Sequence, residues 1–267
     1  MSEGFEIAPG ANESQLIVHI PHSSRFIPSD VREGILLDDI TLEAELDEAT
    51  DSLTDLLGLR ALDQLVGSRP TLFINRTSRF VIDPERFPDE REAMNKVGMG
   101  AVYLKTTSGA QLREESFDPT ALLDQYFHPY ARAFTELTDE ILERHGQVII
   151  IDLHSYRARQ HLNAINHGQR RPAMCVGTDR FHTPSALRDL FFDEFGKIGD
   201  CFENEPYAGT YVPLKHYGKD PRVLSVMMET RADTFLDDAL TRHSGFDQVA
   251  GALARVLSRI NAGELLP

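Results

Sequence analysis

The feature that most constrains this chain is QVIIIDLHSY, residues 147 to 156, read beside QLIVHIPHSS, residues 15 to 24. In each, a run of β-branched apolar residues ends in a histidine followed by serine. Continuous rather than alternating apolar runs are the mark of strands buried on both faces, as in a parallel sheet covered by helices. Such strands deliver polar side chains at their carboxyl ends, where α/β proteins keep their ligands. His22 and His154 can therefore sit side by side although 132 residues apart, and neutral imidazole is the commonest side-chain ligand for transition metals.

Further strands are predicted at residues 71 to 75, 173 to 177 and 223 to 229, each short and rich in Val, Ile or Leu. Helical periodicity covers residues 40 to 66, 121 to 145, 184 to 196 and 245 to 261. In the second, Leu122, Tyr126, Tyr130, Phe134, Leu137 and Ile141 recur at spacings of three and four, and Gly146 closes the pattern. Strands alternating with helices predict an α/β fold of one domain, with a mixed, mainly parallel sheet and helices on both faces. Residues 1 to 14 read as a flexible N-terminus. Residues 84 to 120 and 157 to 172 are polar, rich in Gly, Pro, Arg and Glu, and long for connections, which predicts functional loops or lids.

The chain has 267 residues and a formal net charge of -15, which opposes nucleic-acid and anionic-membrane partners. No apolar run approaches the roughly 20 residues of a membrane span, and the N-terminus lacks a leader pattern, so a cytoplasmic location is expected. The two cysteines, Cys175 and Cys201, are too few for a disulfide framework or a cysteine-rich zinc site, so a metal would be held by histidine and carboxylate.

A catalytic zinc takes three protein ligands and keeps one position open for water. Beyond His22 and His154, the acidic stretch ELDEATDSLTDLL offers Asp47, Glu48, Asp51 and Asp55, among which composition does not choose. Asp152 shares a strand face with His154 and can either orient its ring or cap the following loop. Glu229 ends the apolar run VLSVMMETR, and two readings are open. It is a general base at the rim of a dry pocket, or it pairs with Arg231. Arg76, Arg79 and Arg86 cluster in NRTSRFVIDPERF, where the planar guanidinium fork can grip a substrate carboxylate, or, for Arg86, neutralise Asp83 and Glu85. Ser23 and Ser155 lack the G-x-S-x-G elbow of serine hydrolases, and no G-x-G-x-x-G follows the first strand.

PHSS at 21 to 24, TD at 50 to 51, SRFVIDPERFP at 78 to 88, PYA at 129 to 131, IIIDLHS at 149 to 155, GTYVPLKHYG at 209 to 218 and VMMET at 226 to 230 follow one another as in the N-formylglutamate amidohydrolase family. The chain resembles that family from about residue 15 to 235. The resemblance implies a phosphorylase/hydrolase-like, zinc carboxypeptidase-like fold and cleavage of a small acidic N-acyl amino acid, N-formyl-L-glutamate, to formate and L-glutamate. It implies a zinc ion, or another divalent transition metal, on His22, Asp51 and His154, with Glu229 as base and His216 as a further donor. Arg79, with Arg76 and Arg86, becomes the carboxylate anchor and Tyr217 a substrate contact. The family's Pro-Tyr-His reads here as Pro129, Tyr130 and Ala131, and its Asp-x-Asn-Arg as Asp83, Pro84, Glu85 and Arg86. Hydrolysis of another N-acyl amino acid or small amide, or a non-catalytic acidic-ligand-binding module on the same fold, is the alternative reading. Helix faces leave room for a homo-oligomer.

Overall fold

A computed structural model describes residues 4–160 and 167–265. The elements run β1 (Phe5–Ala8), β2 (Leu16–Ile20), α1 (Ser29–Arg32), α2 (Asp39–Ala49), α3 (Thr54–Gln64), β3 (Thr71–Asn75), α4 (Thr120–Leu122), α5 (His128–His145), β4 (Val148–Tyr156), β5 (Met174–Gly177), α6 (Ser185–Phe195), β6 (Cys201–Glu203), β7 (Val223–Arg231) and α7 (Gly245–Asn261). Seven strands form one sheet in the order β1-β3-β2-β4-β7-β5-β6. The middle four, β3-β2-β4-β7, are mutually parallel, whereas β1 joins β3 and β5 joins β7 in antiparallel fashion. A mixed, mainly parallel sheet with helices on both faces is what the apolar runs predict.

Strand alternation divides the core. Leu16, Val18, Ile20, Ile149, Ile151 and Leu153 point to the face covered by α3, α6 and α7. Ile17, Phe73 and Ile150 point to the other, where Tyr130, Phe134 and Ile141 of α5 pack. Polar groups at the carboxyl ends of β2, β4 and β7 thus divide by parity, and His154 shares the α5 side with Ile150. Among the described residues, no helix is long and apolar enough to cross a membrane.

Three expectations are corrected. Residues 5 to 8 of the expected flexible N-terminus form the antiparallel edge strand β1, with Phe5 stacked on Phe73 at 5.2 Å. The helix predicted over 40 to 66 is two helices, because Thr50 is extended and Leu53 adopts φ 63°, in the left-handed region. The Ser52 and Thr54 hydroxyls bond locally to backbone and compete with the helical ladder, Thr54 donating to the Asp51 carbonyl at 2.8 Å. The helix predicted from 121 opens into a π-turn over Leu123–Phe127, immediately before Pro129. Proline cannot donate to the preceding turn and its ring crowds it, so the ladder widens there. Part of the expected loop 157 to 172, residues 161–166, lies outside the described residues.

Candidate metal and catalytic centre

The break between α2 and α3 positions Asp51. Its N–H donates to the His22 carbonyl at 3.0 Å, tying the break to the turn after β2. The Asp51 carboxylate then faces the end of β4, where Oδ2 lies 3.0 Å from His154 Nδ1 and accepts from the Ser155 N–H at 3.2 Å. His22 Nδ1 is 3.3 Å from His154 Nδ1 and 3.7 Å from Asp51 Oδ2. Three donors bound to one tetrahedral ion at zinc distances would be roughly 3.3–3.5 Å apart. The observed separations bracket that value, so the residues present fit a transition-metal ion. Two imidazole Nδ1 atoms and a carboxylate oxygen, all from buried residues, converge there, with the Ser155 N–H and Arg79 Nη2 as their other polar neighbours.

Each histidine is backed by a second carboxylate. His22 Nε2 is 2.9 Å from Asp83 Oδ1, and His154 Nε2 is 3.1 Å from Asp152 Oδ1. Asp83 also accepts from the Tyr103 hydroxyl at 3.0 Å and pairs with Arg79 at 3.2 Å. Asp152 is shared with His19 Nδ1 at 2.9 Å and the Tyr211 N–H at 3.0 Å. Burial alone would raise these carboxyls, but His22, Arg79 and Arg86 around Asp83, and His154 and His19 around Asp152, hold both well below the usual range. Burial likewise disfavours a charged His154, yet Glu85, Asp152 and Asp51 carry its pKa well above normal. Carboxylates thus surround both imidazoles, an environment that favours positive charge there.

Glu229 sits directly across the β4–β7 ladder from His154. It is buried, and its Oε2 has no hydrogen-bond partner among the described residues. Arg231, the alternative partner, is instead 2.7 Å from Asp233. Burial first, then the charges of Asp51 and Glu85, push the Glu229 carboxyl up to about 8 against the pull of His154 and His22. In the metal-free protein a raised pKa means that the protonated native form is favoured. Its stabilisation is complete below pH 4.5 and is lost as pH rises toward 8. Metal-free Glu229→Gln is therefore expected to be more stable than wild type by an amount that grows through this window to on the order of 4 kcal/mol. Denaturant melts at pH 5 and pH 8.5 check this, and a pH-independent difference would contradict it.

These groups open into a cavity of about 680 Å³, a volume that suits a small-molecule substrate. Its wall includes Arg79, Arg86 and Tyr217, with Glu85, Phe87 and Met94 from the long 84 to 120 segment. Two sequence candidates lie elsewhere. Arg76 is bound to Glu6 and Asp55 at 2.8 and 3.0 Å and does not line the cavity. His216 is buried with Nε2 2.8 Å from Asp139, also off the cavity wall, so its neighbours Leu214, Lys215 and Tyr217 line the space and it does not. Arg86 is 3.5 Å from Asp83, as its neutralising reading had it. Sequence reasoning missed Asp83 as the partner of His22, and Tyr156, Arg171 and Tyr207 as lining of the cavity. No periodicity or spacing marks them, because they come from loops and one strand end.

Residues 14–236 match the N-formylglutamate amidohydrolase family. The chain belongs to this family. It is accordingly a hydrolase acting on amide bonds. Solved structures agree on the fold. N-formylglutamate amidohydrolase from Ralstonia eutropha JMP134 is similar with a TM-score of 0.79 at 21% identity, covering 98% of each chain. A gene product of Agrobacterium tumefaciens is similar with a TM-score of 0.70 at 18% identity, covering 98% of this chain and 97% of that one. No curated protein matches the chain by sequence. The matched span takes in the ends of β2, β4 and β7 and the α2–α3 break, which converge on the cavity.

Proposed function

We propose that the protein is a metal-dependent amidohydrolase that cleaves N-formyl-L-glutamate to formate and L-glutamate. The observation that carries the reading is the triangle of His22 Nδ1, Asp51 Oδ2 and His154 Nδ1, with edges of 3.0, 3.3 and 3.7 Å, beside an unpaired Glu229. His22, Asp51 and His154 would hold the ion, which when bound acidifies a water toward neutral pH and polarises the amide carbonyl. The donor set suits zinc and also accepts iron, cobalt or manganese.

The protein's own groups do the rest. Asp83 and Asp152 take the Nε2–H of each imidazole, which fixes the tautomer that turns both Nδ1 lone pairs inward. The Glu229 carboxylate accepts the proton of the attacking water and returns it to the departing amine nitrogen, a role suited to a carboxyl whose burial brings its pKa near the working pH. Arg79, on the cavity wall beside His22, binds the carboxylate nearest the scissile bond. The walls of the cavity exclude bulk water and strengthen each of these interactions.

Asp152→Asn is expected to weaken metal affinity about 10- to 100-fold, because the amide no longer attracts the His154 N–H as a carboxylate does. Competition with a chromophoric chelator measures this, and unchanged affinity would remove Asp152 from this role. The substrate assignment is tested by formate or acyl release from a panel of N-formyl and N-acetyl amino acids. N-formyl-L-glutamate should head the panel in kcat/KM. A different leader would move the substrate, and no turnover of any member would sink the reading.

A further inference from the structure

We propose that Arg171 binds the distal, side-chain carboxylate of the substrate and so sets the preference for a glutamate-like side chain. This rests on the amidohydrolase reading for the position of the scissile bond. Arg171 is only 8% exposed and lines the same cavity as His154 and Glu229. The other arginines of that wall each have a carboxylate beside them: Arg79 and Arg86 share Asp83 at 3.2 and 3.5 Å, and Arg157 has Glu48 at 4.0 Å. Among the described residues, Arg171 has no carboxylate partner. Its Nη1 donates to the Arg157 carbonyl at 2.9 Å and its Nη2 to the Tyr207 hydroxyl at 3.1 Å, whereas the buried Nε–H donates to nothing.

A guanidinium has five donors, so these bonds leave three without a partner in a group whose planar fork suits a carboxylate. The group lies over the rings of Tyr156 and Tyr207, 5.3 and 5.5 Å from their centroids. The two faces hold its plane and offset part of the cost of burying a cation, but supply no counter-charge. An anion entering the cavity does.

The spacing chooses which anion. Tyr156 follows His154 by two on β4, so it stands on the same sheet face roughly 6–7 Å further along. In an extended N-acyl glutamate the scissile carbon is five bonds from the distal carboxyl carbon, roughly 6 Å, but only three bonds, under about 4 Å, from the α-carboxyl carbon. With the scissile carbon at the His22–Asp51–His154 triangle, Arg79, 2.9 Å from the His22 ring nitrogens, is within reach of the α-carboxylate. Arg171, packed on the Tyr156 ring one strand repeat beyond His154, is the cavity arginine left for the distal one.

The test titrates L-glutamate and L-glutamine calorimetrically into wild type, Arg171→Met, Arg171→Lys and Tyr207→Phe, and compares kcat/KM for N-formyl-L-glutamate and N-formyl-L-glutamine. Wild type should favour the acid over the amide about 100-fold in both measurements. Arg171→Met should bring this within about threefold, by losing affinity for glutamate and leaving glutamine almost unchanged. Arg171→Lys should restore part of the preference. Tyr207→Phe, which keeps the cation and frees Nη2, should cost about three- to tenfold on the acid alone. An acid preference that survives Arg171→Met, equal losses on both ligands, or a wild type without preference would each overturn the assignment. A wild type that favours glutamate in binding yet releases no formate would sink the amidohydrolase reading and leave Arg171 in place.

Discussion

Replacing Glu229 by glutamine is expected to lower kcat by about a thousandfold or more while the protein keeps its metal and its affinity for L-glutamate. The substitution preserves shape and removes only the capacity to take and return a proton. Among the described residues no hydrogen bond or ion pair gives this carboxylate a part in holding the fold, since its Oε2 has no partner there and Arg231 is satisfied by Asp233. A buried, unpaired carboxyl costs several kcal/mol, and its place beside a candidate metal centre makes Glu229 the candidate base. The acid limb of the wild-type kcat/KM profile should also vanish in the variant. Loss of metal in Glu229→Gln would instead make the residue a ligand, and retention of more than a tenth of kcat would remove it as the base.

Chelation is expected to lower the thermal midpoint of the protein by roughly 10 °C. An ion at a thousandfold excess over its dissociation constant adds about 4 kcal/mol to the native state, and a chain of this size shifts by about 2–4 °C per kcal/mol. The metal-free protein must keep Asp51, Asp83, Asp152, Glu85 and Glu229 in one small volume, with protonated histidines and nearby arginines such as Arg79 as the opposing positive charge. His154→Ala should melt at one temperature with or without chelator, because one corner of the triangle is missing. A wild type whose midpoint ignores both chelator and added zinc would leave the triangle without a metal.

Much of this arrangement is legible in the sequence. The apolar runs around His22, His154 and Glu229 predict buried strands with polar ends, and register places His154 opposite Glu229 as that reading requires. Asp51 is harder to find. Its stretch reads as one acidic helix, and only TDSLT, whose side chains compete with the helical ladder, hints that the helix breaks and turns a carboxylate inward. Arg76 and His216 look like Arg79 and Tyr217 in sequence, and only the fold separates them. Glu6 of the unexpected strand β1 takes Arg76, and Asp139 of α5 takes His216. Both partners are more than 60 residues away, beyond the reach of local pattern. Arg171 lay hidden for the same reason, since its significance is that no described residue gives it a carboxylate partner in three dimensions.

Formate release from N-formyl-L-glutamate by the purified protein, followed before chelation, after chelation and after return of stoichiometric zinc, decides whether the centre works as a metal-dependent amidohydrolase. Release that disappears with the metal and returns with it is the expected result. Undiminished release by the chelated protein would contradict the mechanism, and so would no release in any of the three states.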